Sequence, residues 1–138
     1  MIFVGASFCG EATNPALPRG VQAFRDSLAA EANASGKHLS SIGVSIDNDV
    51  EIGTAFLSRF AGFDEVSVGG NWLNGAALLY IVRDVPGRLM IPQIVVVERD
   101  ISTSGNVLNV GRDSLVKRVF SREILALGDR AERRRTSH

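Results

Sequence analysis

Ile2-Phe3-Val4-Gly5-Ala6-Ser7-Phe8-Cys9-Gly10-Glu11-Ala12 is the stretch from which the fold is read. Ile2 to Gly5 is a continuous apolar run ended by glycine and small residues, the pattern of a short strand buried on both faces. Ala6 to Ala12 is then a loop that carries the only cysteine of the chain. Pro15, Pro18 and Gly20 delay the next element. Val21, Phe24, Leu28 and Ala32 then recur at helical spacing until Asn33 to Gly36 end the run. A buried strand followed by an amphipathic helix sets an α/β pattern.

The rest of the chain continues it. Leu39 to Ile46 alternates as a strand, with Ile42, Val44 and Ile46 on one side. Asn48, followed three residues later by Glu51, is a helix-start signal of the capping-box kind, and Ile52, Phe56, Leu57 and Phe60 form the stripe that Gly62 closes. Val66 and Val68 suggest a brief strand, and Trp72, Leu73, Ala76, Ala77 and Tyr80 a third helix stopped by Pro86 and Gly87. Ile94 to Val97 is β-branched throughout and is expected to form a hairpin with Val107 to Val110 around a turn at Ser102 to Gly105. A last helix is expected to start near Asp113 and bury Leu115, Val116, Val119 and Phe120. Arg130 to His138 is polar and basic without periodicity and reads as a frayed tail. The expectation is one domain over residues 1–128, a mixed sheet of four to five strands with helices on both faces, and a flexible basic tail over 129–138.

Composition narrows the functional classes. A chain of 138 residues fits one core, and 15 basic residues against 15 acidic ones leave no net charge to attract nucleic acid. The apolar stretches Trp72 to Val82 and Met90 to Val97 are too short to cross a bilayer, so no membrane span is expected. The first strand begins directly after Met1 without the features of a secretory signal, which implies a cytoplasmic protein if Met1 is the natural start. One cysteine with two scattered histidines, His38 and His138, makes neither an internal disulfide nor a zinc site, and no metal or cofactor is implied.

Two motifs point to a family. Ala6-Ser7-Phe8-Cys9-Gly10-Glu11-Ala12 resembles the A-S-W-C-G-P-C run of thioredoxin-like thiol-disulfide oxidoreductases, placed just after the first core strand. Ile91-Pro92 followed by Gln93 to Val97 resembles the run of that family in which a cis-proline precedes a β-branched strand and faces the cysteine. The resemblance covers nearly all of Ile2 to Leu127 and implies a thioredoxin-like α/β fold. It makes Cys9 the candidate catalytic residue and Phe8, Gly10, Glu11, Ile91 and Pro92 the candidate substrate groove. It implies as partner a protein disulfide or glutathione. Glutathione peroxidases share the A-S-x-C-G string. Asp47 and Asn48 stand where their glutamine is expected, and Leu73, not asparagine, follows Trp72, so their constellation is not assembled. The peroxiredoxin pattern fails as well, because Ile2 and Ala6 stand near its proline and threonine positions.

The departures bear on mechanism. The second cysteine of C-x-x-C is Ala12 and the proline before it is Glu11, so the chain lacks the thiol that resolves a mixed disulfide. Asn14 as cap and Pro15 at the first helical position start the helix late, away from the cysteine. A carboxylate at Glu11 opposes formation of a nearby thiolate. Two functions follow: a monothiol redox protein, in which an outside thiol resolves Cys9, and a non-catalytic binding module with a degenerate site. For the other residues the structural reading is preferred: a solvated loop carboxylate at Glu11, a core or rim aromatic at Trp72, a solvated tail at Arg133 to Arg135, and no catalytic partner for His38.

Overall fold

The computed structural model describes residues 1–60 and 62–137. In chain order the elements are β1 (Ile2–Gly5), α1 (Ala16–Ala34), β2 (Ile42–Ser45), α2 (Val50–Leu57) and β3 (Glu65–Val68). A helical segment follows, and then β4 (Gln93–Glu98), β5 (Ile101–Ser104), β6 (Val107–Val110), β7 (Ser114–Phe120) and α4 (Ser121–Thr136). The helical segment comprises a 3-10 turn at Asn71–Leu73, the short α3 (Gly75–Ala77) and a π-helix at Leu78–Arg83.

The five-stranded sheet has the order β3-β2-β1-β4-β7. β1, β2 and β3 run parallel, while β4 is antiparallel to both β1 and β7. β1 lies at its centre, so Ile2, Phe3 and Val4 are enclosed from both faces, as their unbroken apolar run requires. Phe3, Ile94, Val96 and Val119 point to one face, where they meet Leu17, Val21 and Phe24 of α1, Phe56 and Leu57 of α2, and Ile124 of α4. Ile2, Val4, Val44 and Val95 point to the other, where they meet Ala77, Tyr80, Ile81 and Val85. The molecule is thus an α/β protein with a mixed five-stranded sheet and helices on both faces. Among the described residues no helix is long and apolar enough to cross a membrane.

Several local expectations are corrected. Ser114–Phe120 is a strand, not the start of a helix. Leu115, Val116, Val119 and Phe120 fit helical spacing, but β-branched side chains and the open flank of β4 favour a sheet edge. β4 therefore pairs with β7, and Val107–Val110 pairs with β5 in a separate two-stranded hairpin. That hairpin is exposed throughout, and its base is tied by a bidentate ion pair from Arg99 to Asp113 at 2.6 and 2.8 Å. The expected third helix is interrupted at Asn74, which ends the 3-10 turn and caps α3 through Ala76 and Ala77 N–H, and α3 then passes directly into the π-helix. α2 is capped by Asp49, not Asn48, with its carboxylate accepting from Ile52 N–H at 2.9 Å. The segment read as a tail is helical through Thr136, while His138 lies outside the described residues. Arg133, Arg134 and Arg135 occupy the last turn of α4, where cations complement the partial negative charge of a helix end.

α4 stays docked on α1 by close backbone approach. A Cβ at Gly20 would lie 1.9 Å from the Ile124 carbonyl oxygen, and one at Gly128 would lie 2.0 Å from that of Ala16. Arg19 and Glu132 add an ion pair at 3.4 Å further along the same contact.

Candidate functional site

The loop between β1 and α1 is a chain of tight turns. Cys9 N–H donates to the Ala6 carbonyl at 3.2 Å, Ala12 N–H to the Cys9 carbonyl at 2.9 Å, and Asn14 N–H to the Glu11 carbonyl at 3.0 Å. Asn14 then caps the helix, its side-chain oxygen accepting from Ala16 N–H at 2.9 Å. α1 starts seven residues beyond Cys9, so the partial positive charge of its N-terminus, which fades within one turn, lies away from the sulfur.

Cys9 is half-buried against the core, and its thiol donates to the Ile91 carbonyl at 3.6 Å. The Ile91-Pro92 peptide bond is cis. The two motifs, 82 positions apart in the chain, therefore meet at one point. Pro92 itself is buried, Ile91 half-buried, Gly10 exposed and Glu11 half-buried. Phe8 is 63% exposed, and Leu89 and Met90, which lead into Ile91, are 56% and 45% exposed. Cys9, Phe8, Gly10 and Glu11 thus share one loop, and the Ile91 carbonyl reaches Cys9 from the other. Ala12 is 2% exposed and sits in the core, where it contributes no chemistry.

Two sets of polar residues brace these loops. Asp47, 4% exposed just beyond β2, accepts from Ser7 N–H at 3.0 Å, Ser7 Oγ at 2.5 Å and Ser45 Oγ at 2.6 Å. Burial opposes its ionisation, but the hydroxyls of Ser45 and Ser7 and the Ser7 amide outweigh it and hold the carboxyl below the usual aspartate range. On the other loop, the fully buried Gln93 donates from Nε2 to the carbonyls of Arg88 at 2.9 Å and Met90 at 2.6 Å. Arg118 of β7 donates to Gln93 Oε1 at 3.2 Å and to the Val85 carbonyl at 2.6 Å. Burial pushes the pKa of Arg118 down from the ordinary arginine value.

Sequence reading weighed Asp47 only for a peroxidase position and passed over Ser7, Ser45, Gln93 and Arg118 as functional residues. The usable signal was a polar residue set inside or directly after a strand of apolar neighbours, as at Gln93 and Asp47, because such a group is buried only with partners. Among the described residues no three His, Cys, Asp or Glu side chains converge as metal ligands. A cleft of about 420 Å³ between α1, β7 and α4 lies apart from Cys9.

The Asp47 brace makes a pH prediction. Its carboxyl titrates lower folded than unfolded, so its contribution to stability is present above the unfolded value of about 3.9 and is lost as pH falls through the folded value. Asp47→Ala leaves the buried Ser45 hydroxyl without its acceptor and is expected to cost about 2 to 3 kcal/mol at neutral pH. The deficit relative to wild type should shrink steadily below about pH 4. Urea unfolding midpoints from pH 7 to pH 2 check both statements; a deficit constant across that range contradicts them.

Comparison with family models, with curated proteins and with solved structures finds no match to this chain.

Proposed function

We propose that the chain is a thioredoxin-like protein that works as a monothiol redox protein through Cys9. The observation that carries this reading is the meeting of the half-buried Cys9 with the Ile91 carbonyl beside the cis Ile91-Pro92 bond, with exposed apolar residues next to each in the chain, Phe8 before Cys9 and Leu89 and Met90 before Ile91. Support from the fold is the position of Cys9 directly after the central strand β1 of a mixed sheet.

The chemistry follows from one sulfur. The Cys9 thiolate attacks one sulfur of a partner disulfide; a Cys9-S bond forms as the partner S-S bond breaks, and the other half departs as a thiolate. Cys9 is thereby oxidised to a mixed disulfide and the partner is half reduced. With Ala12 in place of a second cysteine, an outside thiol, glutathione or a protein thiol, attacks the mixed disulfide and releases Cys9. The exposed Phe8 next to Cys9, with Leu89 and Met90 leading into Ile91, suits a protein disulfide with hydrophobic flanks.

A second reading has an observation of its own. Ala12 is buried in the core at the position of the missing thiol, which favours a binding module that uses the same two loops without chemistry.

Incubation of the folded protein with a short cystine-bridged apolar peptide, and separately with glutathione disulfide, tests the choice. The redox reading expects an intact-mass increase of one half-disulfide on Cys9, reversed by dithiothreitol and absent from Cys9→Ser. Peptide binding without a covalent adduct would establish the binding module instead.

A further inference from the structure

The Ile91 carbonyl that accepts from the Cys9 thiol belongs to a loop with no regular structure between the π-helix and β4. Its position is set from behind. Strand register places Val95 opposite Arg118 and Gln93 opposite Phe120, so Gln93 and Arg118 are diagonal neighbours on one face of the sheet. Val95 packs on that face with Tyr80, Ile81 and Val85. From there the Gln93 amide holds the carbonyls of Arg88 and Met90, and the Arg118 guanidinium holds Gln93 Oε1 and the Val85 carbonyl. Gly87 leaves room for this: a Cβ there would stand 1.8 Å from Arg118 Nη1. The carbonyls on both sides of Leu89, and that of Val85, are therefore tied to two side chains of the sheet. Leu89 and Met90 remain exposed, so apolar burial is not what fixes these residues.

We propose that Arg118 and Gln93 are positioning residues of the Cys9 site: they hold the loop so that the Ile91 carbonyl caps the thiol and partly covers the sulfur until the loop yields. This rests on the reading of Cys9 as a working thiol. Loosening the brace withdraws the acceptor and opens access to the sulfur in one movement. An incoming disulfide that displaces the loop would do the same, so the resting thiol is guarded and the engaged one is not.

The test compares iodoacetamide alkylation of Cys9 in the folded wild type, Arg118→Met, Arg118→Lys and Gln93→Met, from mildly acidic to alkaline pH. Val119→Ala, whose side chain belongs to the cluster on the opposite face of the sheet, serves as a destabilised control. Loss of one hydrogen bond's worth of restraint predicts about fivefold faster alkylation in Arg118→Met and Gln93→Met. Arg118→Lys, which keeps a donor, should return toward wild type, and Val119→Ala should react at the wild-type rate. Gly87→Ala, which pushes the guanidinium aside while retaining every polar group, should behave like Arg118→Met and serves if that variant does not fold. Rates equal to wild type in both Arg118→Met and Gln93→Met, or matched by Val119→Ala, would overturn the proposal. A wild-type thiol that stays silent while Arg118→Met reacts supports the brace and counts against the redox function. A wild-type thiol that reacts as fast as Arg118→Met does the reverse.

Discussion

Gly20→Ala combined with Gly128→Ala is expected to lower the melting temperature by roughly 10 °C and to release α4 from α1. Each added methyl group would meet a main-chain carbonyl oxygen, at 1.9 Å from Ile124 and 2.0 Å from Ala16, and a carbonyl inside a helix cannot rotate away. The contact is reciprocal, since Gly20 faces Ile124 while Gly128 faces Ala16, four residues back along each helix. The helices must therefore separate along the whole seam. Separation exposes Ile124 and loosens the packing of Leu17, Val21 and Phe24. Alanine is the better helix former by about 1 kcal/mol at each position, which acts in the opposite direction. Overpacking of ordinary core sites costs about 1 to 3 kcal/mol, and two clashes against rigid backbone lie at or beyond the top of that range. Calorimetry reads the net effect, and amide hydrogen exchange along Ser121–Thr136 locates it. A melting temperature that rises by a few degrees would mean that propensity governs and that the helices do not approach at these glycines.

Ala12→Cys is expected to convert a chain with no dithiol cycle into one with a dithiothreitol-reducible internal disulfide. Ala12 N–H donates to the Cys9 carbonyl at 2.9 Å, which closes a turn whose ends lie within the spacing a disulfide accepts. The Ala12 side chain is already in the core, so one sulfur is added at a buried, tightly packed position, with a stability cost of about 1 to 3 kcal/mol. Once the pair exists, the second thiol resolves the mixed disulfide formed at Cys9 without outside help. Insulin reduction with dithiothreitol should rise at least about tenfold over the single-cysteine protein, an effect of the magnitude that intramolecular resolution gives when it replaces a bimolecular step. Thiol titration of the oxidised variant should find no free cysteine. Two free thiols that persist in oxidised buffer would show that residues 9 to 12 do not form the redox turn assigned to them.

The core was legible where the side-chain pattern left one solution. Ile2 to Val4 is apolar at every position, a pattern that suits a central strand with both faces covered, and β1 is that strand. Val21, Phe24 and Leu28 fixed the inner face of α1 through their spacing. Ser114 to Phe120 was misread because Leu115, Val116, Val119 and Phe120 satisfy helix and edge strand equally; only the free hydrogen-bonding groups of β4, a property of another part of the chain, decide between them. The arginines of α4 were misread for a related reason. Arg130 to Arg135 show no apolar period, and their helix persists by extension of a docked segment anchored at Ile124 and Gly128. At the candidate site, Cys9 and the Ile91-Pro92 step, which meet through the Ile91 carbonyl, were visible as two short motifs. Asp47, Gln93 and Arg118 were not, since a brace is recognised by what it touches, and their partners lie between 2 and 40 positions away in the chain.

The central claim is that the folded protein presents Cys9 for disulfide exchange. It is tested most directly by the rate of mixed-disulfide formation between Cys9 and glutathione disulfide, followed by intact mass as urea is raised toward the unfolding transition. The account predicts a measurable rate in the absence of urea, because Cys9 is only half-buried and the loop that carries the Ile91 carbonyl yields without loss of the fold. A rate that is zero in native buffer and climbs in proportion to the unfolded fraction would contradict it, and would make Cys9 a buried thiol that reacts only when the fold is lost.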